Sequence, residues 1–300
     1  MTSPDLVSVV IPFHNSERFL AEAIDSVIRQ SWSSWELILV DDGSSDRSRD
    51  IVLSYAGSGA RIHLTQHEGR RNLGLTRSRN LGARASSGEF LAFLDSDDVW
   101  LPHKLEHLVG ILREHPRADM VCGPSKYWYD WDTENTRQNV IPAIAPGETL
   151  YQPPALFLMT YPIGPHGAPC PSSILVRQTA FERVGGFEDA FNPSTFQIFE
   201  DTAFFTKIYL SGPVYVTSAC TDRYRRHAGS MWEAARHSSL EERARRFYFK
   251  WLRNYLGQRQ PQLPGVLRAA RQAGWPHLLP LPPVATRALC RIANRMWNPK

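Results

Sequence analysis

Cysteine is scarce: four in 300 residues, at Cys122, Cys170, Cys220 and Cys290, with no pair at the two-residue spacing of redox motifs and zinc knuckles. A disulfide-framed fold is excluded, and four reduced thiols in a cytoplasmic chain are expected. Long apolar runs are also missing. No stretch approaches the ~20 apolar residues of a membrane span. The first apolar run, Leu6 to Phe13 interrupted by Ser8, is too short for a signal-peptide core and lacks a basic start. A soluble protein is expected, meeting a membrane only from its surface. Repeats and low-complexity tracts are absent, which excludes solenoids and linker-like chains. Acid is missing from the end of the chain, where Glu242 is the last carboxylate. Residues 1–220 carry 18 Lys+Arg and 26 Asp+Glu (18 − 26 = −8), and residues 221–300 carry 16 and 4 (+12). The net +4 therefore hides an acidic body and a basic tail available to an anionic surface.

What is present alternates between two periods. Leu6 to Pro12 reads as a buried strand, followed by a helix that Asn15 or Ser16 can cap and that carries Phe19/Leu20, Ala23/Ile24 and Val27/Ile28 on one stripe. Leu37 to Val40 is a second strand, stopped by Asp41-Asp42-Gly43-Ser44, and Ser45 or Asp46 can cap the next helix through Ile51, Val52 and Tyr55. Ile62–Leu64, Phe90–Leu94 and Met120–Cys122 read as strands, with Thr76–Ala85 and the Leu101-to-Leu112 stripe as helices between them. Such alternation predicts a mostly parallel sheet covered by helices on both faces, with ligands beyond the carboxyl ends of the strands. Residues 124–170, rich in proline and in aromatics such as Tyr127, Trp128, Tyr129 and Trp131, read as an irregular insertion or substrate wall. After it come a strand at Ser173–Val176, a short helix at Thr179–Val184 and a helix at Asp201–Leu210. Leu240, Ala244, Phe247, Trp251, Leu252 and Tyr255 then share one helical stripe.

The acids sit where chemistry is expected. Asp41-Asp42 closes one strand and Asp95-Ser96-Asp97-Asp98 another. Three carboxylates within four residues repel unless a cation or solvent separates them, so a Mn2+ or Mg2+ site and a solvated turn are both open from this segment alone. Gly74 to Gly82, containing Arg77, Arg79 and Asn80, offers a helix start and arginines to an anionic group.

Taken together, Ile11-Pro12-Phe13-His14-Asn15, Val40-Asp41-Asp42-Gly43-Ser44-Ser45-Asp46, the Arg79-Asn80 helix and Leu94-Asp95-Ser96-Asp97-Asp98 resemble glycosyltransferase family 2. The likeness is close over about residues 6 to 115 and resumes from Pro171 to Ser230. It implies a GT-A-like, Rossmann-type mixed sheet over residues 1–230 (a nucleotide-binding half, 1–123, and an acceptor half, 124–230) with a basic helical extension over 231–300. It also implies a metal-dependent, inverting transfer of sugar from a nucleotide-diphosphate donor to a saccharide or lipid-linked hydroxyl acceptor in cell-surface polysaccharide or glycolipid assembly. In the terms of the resemblance, Pro12 and Asp42 hold the base and Arg79, Asp95 and Ser96 contact the nucleotide sugar. Asp97 and His227, with Asp95 or Asp98 as alternatives, bind Mn2+ or Mg2+. Asp201 of Phe199-Glu200-Asp201 is the base, approached through Gly185-Gly186-Phe187-Glu188-Asp189. By itself Asp201 could merely cap its helix.

Other classes fit less well. A sugar-phosphate nucleotidyltransferase needs a glycine-rich basic loop after the first strand, where this chain has Phe13 to Glu17. A dinucleotide site fails because Gly57-Ser58-Gly59 lacks a third glycine and precedes a strand. A non-catalytic carbohydrate- or lipid-binding module is the remaining alternative, and nucleic acid is not an expected partner. The segment Val284 to Trp297, with Arg287, Arg291 and Arg295 four residues apart, reads as a helix whose apolar face could lie on the inner face of the cell membrane or equally pack on the chain's own acidic catalytic domain.

Overall fold

The computed structural model describes residues 3–56, 61–132, 137–231, 233, 239–258 and 264–278. The chain divides into two compact units, Met1–His237 and Ser238–Lys300.

In the first unit, β1 (Ser3–Phe13) is buried from Val7 to Phe13 with apolar side chains on both faces, as a central strand of a helix-covered sheet requires. Around it run α1 (Leu20–Ile28), β2 (Trp35–Asp41), α2 (Ser48–Ala56), β3 (Ile62–Gln66), α3 (Leu75–Ala85), β4 (Gly88–Phe93), β5 (Val99–Trp100), α4 (Lys104–Glu114) and β6 (Met120–Cys122). Then follow β7 (Lys126–Trp128), β8 (Thr149–Tyr151), α5 (Ala155–Met159), β9 (Ile174–Arg177), α6 (Gln178–Val184), α7 (Glu200–Tyr209), β10 (Val214–Val216) and β11 (Asp222–Arg225). Eight strands form one sheet in the order β3-β2-β1-β4-β9-β6-β10-β8, and β5-β11-β7 form a second. In the large sheet only β9 and β8 run against the others.

Side-chain alternation assigns the two layers. Val7, Val9, Ile11, Leu37, Leu39, Phe90 and Ala92 face Leu20, Ile24 and Val27 of α1 and Leu105, Leu108 and Leu112 of α4 in one core. On the opposite face α3 comes so close that a Cβ on Gly82 would lie 2.3 Å from a methyl of Val10. Phe93 there meets Phe187 edge-on at 5.1 Å.

The strand order reverses between β1 and β4, with β2 and β3 on one side and the rest of the sheet on the other. Such a switch point opens a crevice at the carboxyl ends of its strands. Here the opening has a residue-level cause: the β1–β4 ladder ends at Val10 and Phe93, while β1–β2 pairing continues to Phe13 and Asp41. Pro12, lying inside β1 just beyond Val10, has no N–H with which to extend the ladder.

Two sequence expectations for this unit need correction. α1 starts at Leu20: the N–H groups of Phe19 and Leu20 turn back onto the Ser16 carbonyl, and no side chain caps the helix. Asn15 instead clasps the next loop, its Oδ1 accepting from the N–H groups of Ser45 (2.8 Å) and Asp46 (3.3 Å). Residues 124–170 are not wholly irregular, because β8 closes one edge of the main sheet and β7 joins the small one. Short strands framed by proline carry too few alternating positions to be read as strands.

In the second unit, α8 (Leu240–Gly257) and α9 (Pro264–Leu278) pack together, and a Cβ on Gly274 would lie 2.9 Å from the Phe249 ring. α8 buries Ala244, Tyr248, Phe249, Leu252 and Leu256, a stripe rotated from the expected one, leaving Phe247, Trp251 and Tyr255 half-buried. Lys250, Arg253, Arg268 and Arg271 are exposed. The expected amphipathic segment Val284–Trp297 lies outside the described residues.

Candidate active site

Each motif end converges on the crevice, and the pairings can be traced from strand to strand. After β2, Asp41 accepts the Ser44 N–H (2.8 Å) and lies 3.4 Å from the Arg49 guanidinium. Asp42 is buried. Its Oδ1 accepts from the Leu73 N–H (2.8 Å) and its Oδ2 from the Gly74 N–H (2.9 Å). Gly74 reaches this carboxylate at φ 93, a conformation costly for residues with a Cβ. Asp42 therefore fixes the start of α3, and His67, hydrogen-bonded to Ser78 and with burial pulling its pKa down, packs beside it.

The turn after β4 divides the acids among different partners. Asp95 takes a 2.6 Å bond from Arg79, and Asp97 Oδ2 is 2.9 Å from His227 Nε2. Ser96 meets Ser16 of the loop after β1 at 2.8 Å. Asp98 is wholly buried, with Oδ1 accepting the Arg225 N–H (2.9 Å) and Oδ2 the Ser172 hydroxyl (2.6 Å). Burial, then the neighbouring charges of Asp97 and Asp95, push the Asp98 carboxyl well above the usual range. Asp98, an alternative ligand on the sequence reading, thus has both oxygens occupied inside the protein.

The second half of the site arrives through β11 and α7. Arg225 donates from Nε to the Asp97 carbonyl (2.7 Å) and pairs with Glu22 of α1. Its guanidinium lies over Trp128 (4.4 Å), Phe19 (4.7 Å) and Trp131 (5.2 Å), contacts that favour a desolvated cation. The His227 ring packs on Phe19 at 5.0 Å. At α7, Phe199 adopts a left-handed φ of 71, unusual for a bulky residue. Glu200 follows and accepts a 2.9 Å bond from Arg79. Asp201 is half-buried and accepts from the N–H (2.6 Å) and hydroxyl (3.2 Å) of its neighbour Thr202, so it stands in the first turn rather than capping it. Burial raises the Asp201 pKa. Burial and the adjacent Asp201 push Glu200 up to about 8, against the pull of Arg79.

Arg79 thus joins Asp95 to Glu200, 121 residues further along the chain from it, and brings the Asp-rich turn and the Glu-Asp pair into one place. The sequence model of glycosyl transferase family 2 matches residues 8–185, more than half of the chain.

The chain belongs to glycosyl transferase family 2.

Within that family it is similar to a UDP-Glc:alpha-D-GlcNAc-diphosphoundecaprenol beta-1,3-glucosyltransferase, WfgD, of Escherichia coli: 40% identical over 107 residues, which is 36% of this chain and 41% of the relative. Glycosyltransferase GlyG of Streptococcus pneumoniae is 32% identical over 126 residues, 42% of this chain and 40% of the relative. The matched stretches thus span less than half the length of these relatives. Among solved structures, S. aureus TarS 1-349 in complex with UDP-GlcNAc superposes with a TM-score of 0.66 at 21% identity, covering 89% of this chain and 71% of that one. It bears out the GT-A-like fold expected of the family.

Among the described residues, no three His, Cys, Asp or Glu side chains gather into a metal cage. A closed cage is not what Mg2+ or Mn2+ needs beside a nucleotide, where one or two protein ligands and substrate phosphates suffice. Asp97 with His227 fits that smaller requirement, and Asp98, already spent, does not. The sequence does not point to Ser172 or Glu22, and it offers Ser16 only as a helix cap. A serine after proline carries no signal, and an acid in a first helical turn reads as a complement to the helix dipole.

The division of labour between Asp97 and Asp98 has a measurable consequence. Asp98→Ala strands two buried donors, each worth about 1–3 kcal/mol when left unpaired. It should therefore lower the urea midpoint clearly, with Asp97→Ala close to the unaltered chain. Equal midpoints for Asp98→Ala and the unaltered chain would contradict the buried staple.

Proposed function

We propose that the chain transfers a sugar, with inversion, from a nucleotide-diphosphate sugar to a hydroxyl of a saccharide or lipid-linked acceptor in cell-surface polysaccharide or glycolipid assembly. The observation that carries this reading is the Arg79 bridge, which puts a half-buried carboxylate, Asp201, beside the acid turn at the sheet's switch point. Family membership and relatives named for glycosyl transfer support it.

Asp201 acts as general base. A sugar hydroxyl is a weak nucleophile, and a carboxylate with its pKa raised by burial is the stronger proton acceptor. Thr202 fixes one carboxylate oxygen and leaves the other for the acceptor. Pro12, Asp42 and the loop that Asp42 pins at Leu73-Gly74 form the base end of the donor site, with Asp95 and Ser96 on its sugar side. Asp97 and His227 would hold Mn2+ or Mg2+. Such a cation supplies neutralisation of the charge that develops on the departing nucleotide diphosphate.

The setting proposed is the inner face of the cell membrane. No helix among the described residues is long and apolar enough to cross a membrane. From Arg243 onward, however, there are 12 Lys+Arg and no acid. Each cation near an anionic lipid surface contributes about 1 kcal/mol. An acceptor carried on a lipid, like the one in the WfgD name, would be met there.

Five measurements test the proposal. Asp97→Ala should remove Mn2+- or Mg2+-supported transfer, and undiminished turnover in that variant, or in the unaltered chain with excess chelator, rejects the ligand assignment. Asp201→Asn should keep donor binding and lose roughly two or more orders of magnitude in turnover. Because the base works ionised and burial raises its pKa, the rate of the unaltered chain should fall as pH drops, with a midpoint above that of a free aspartate. A product with the donor's anomeric configuration retained overturns the single displacement. Finally, the chain should sediment with anionic vesicles and not neutral ones at low salt; negligible binding to both removes the membrane setting.

A further inference from the structure

The Arg79-Asn80 pair of α3 carries a nucleotide contact in the family resemblance, yet its surroundings here give it other work. Arg79 is 1% exposed. One terminal nitrogen donates to Asp95 at 2.6 Å and the other to Glu200 at 2.9 Å, and the guanidinium lies 5.1 Å over the Phe187 ring. Burial works against the charge, but Asp95 and Glu200 more than offset it and raise the Arg79 pKa. Asn80 clamps the approach to the same helix. Its Nδ2 donates to the Phe187 carbonyl (2.9 Å) and its Oδ1 accepts the Phe187 N–H (2.9 Å). Gly186, at φ 62, allows this approach, since a Cβ there would lie 2.6 Å from Asn80 Oδ1.

We infer that Arg79 is a positioning residue: its fork, shared between Asp95 and Glu200, holds the donor-side carboxylate turn and the start of the Asp201 helix at one fixed separation, and it does not bind the nucleotide. The inference rests on the transferase reading above. A guanidinium is planar and presents donors on both terminal nitrogens at a set angle, so it can tie two carboxylates from different elements; an ammonium on a flexible stem cannot impose that geometry. Without the fork the buried Glu200 and the half-buried Asp95 lose the cation between them and move apart. The base end of the donor site, which UDP occupies, stays assembled by Asp42, Leu73 and Gly74, which Arg79 does not touch. What is lost is the alignment of base and donor, and a misplacement of about 1 Å can cost about a hundredfold in rate.

The test is a cycle of Arg79→Lys, Glu200→Gln and the double variant. It reads melting temperature, UDP affinity by calorimetry in Mn2+, and turnover of whichever nucleotide sugar the unaltered chain uses. Arg79→Lys should bind UDP within about threefold of the unaltered chain while kcat falls about ten- to a hundredfold. Glu200→Gln should move in the same direction, and the double variant should lose no more than the worse single, as for two residues acting through one contact. A large loss of UDP affinity with kcat intact makes Arg79 a nucleotide contact and overturns the inference. So does a double variant whose loss is the product of the singles. Should Arg79→Lys not fold, Glu200→Gln, which keeps shape and a hydrogen bond, decides: unchanged kcat overturns the role. An unaltered chain that binds no UDP and turns over no nucleotide sugar removes the transferase reading and this role with it, whereas an active chain with the wrong variant pattern removes the role alone.

Discussion

A guanidinium cut off from water demands anions, and that demand at Arg79 organises the site. α3 lies against β1 and β2, held close by the missing side chain of Gly82, so Arg79 is delivered to the sheet's crevice whether or not a ligand is there. Asp95, just past the end of β4, and Glu200, at the start of α7, are the two charges that make its burial tolerable. The energetic argument favours specificity more than stability, since a buried ion network is about neutral against an apolar replacement but severe to break on one side. Chemistry at the crevice then inherits its geometry from a scaffold contact.

A second buried cation repeats the logic across the small sheet. Arg225 touches α1 through Glu22, the acid turn through the Asp97 carbonyl, and the aromatic segment through Trp128 and Trp131. His227 is carried in beside Asp97 as a result. The residues suited to a hard cation are thus those left over after the structural needs of the turn are met. Asp98 serves the fold, Asp97 stays available, and only neighbours distant in sequence distinguish the two.

Much of this was legible before any coordinates, and unevenly so. The alternation from Leu6 to Cys122 announces a helix-covered parallel sheet because buried strands and amphipathic helices have different periods, and most segments there are long enough to show their own. The motif ends at Asp42 and Asp95 are visible because acids after apolar strands are conspicuous, whereas Pro12 and Asp201 come only from the family resemblance. The partners of these residues are not visible. Whether Asp42 meets a ligand or the Leu73 and Gly74 N–H groups depends on a loop's path, which local pattern does not encode. β9 is legible as a strand but its antiparallel direction is not, and the three-residue β7, β8 and β10 offer no period to read. The rotation of the α8 stripe is a choice between two apolar arcs that the sequence does not rank, and Phe249, which meets α9 at Gly274, lies on the arc that is buried.

The position of β9 also sets a timetable. β6 borders only β9 and β10 in the large sheet, so residues 120–122 have no strand to join until residues 174–177 have been made. At 5–20 residues per second, synthesis of the intervening segment takes about 3–10 s. During that interval the apolar edge of β4 at Phe90, Leu91 and Ala92, later sealed by β9, stands open. An open edge of that kind is a template for pairing with another nascent chain. The long-range pairing that ends the exposure is also among the slower steps a chain can take. Ser172, the partner of Asp98, lies two residues before β9, so the acid turn gains its staple at the moment the sheet closes.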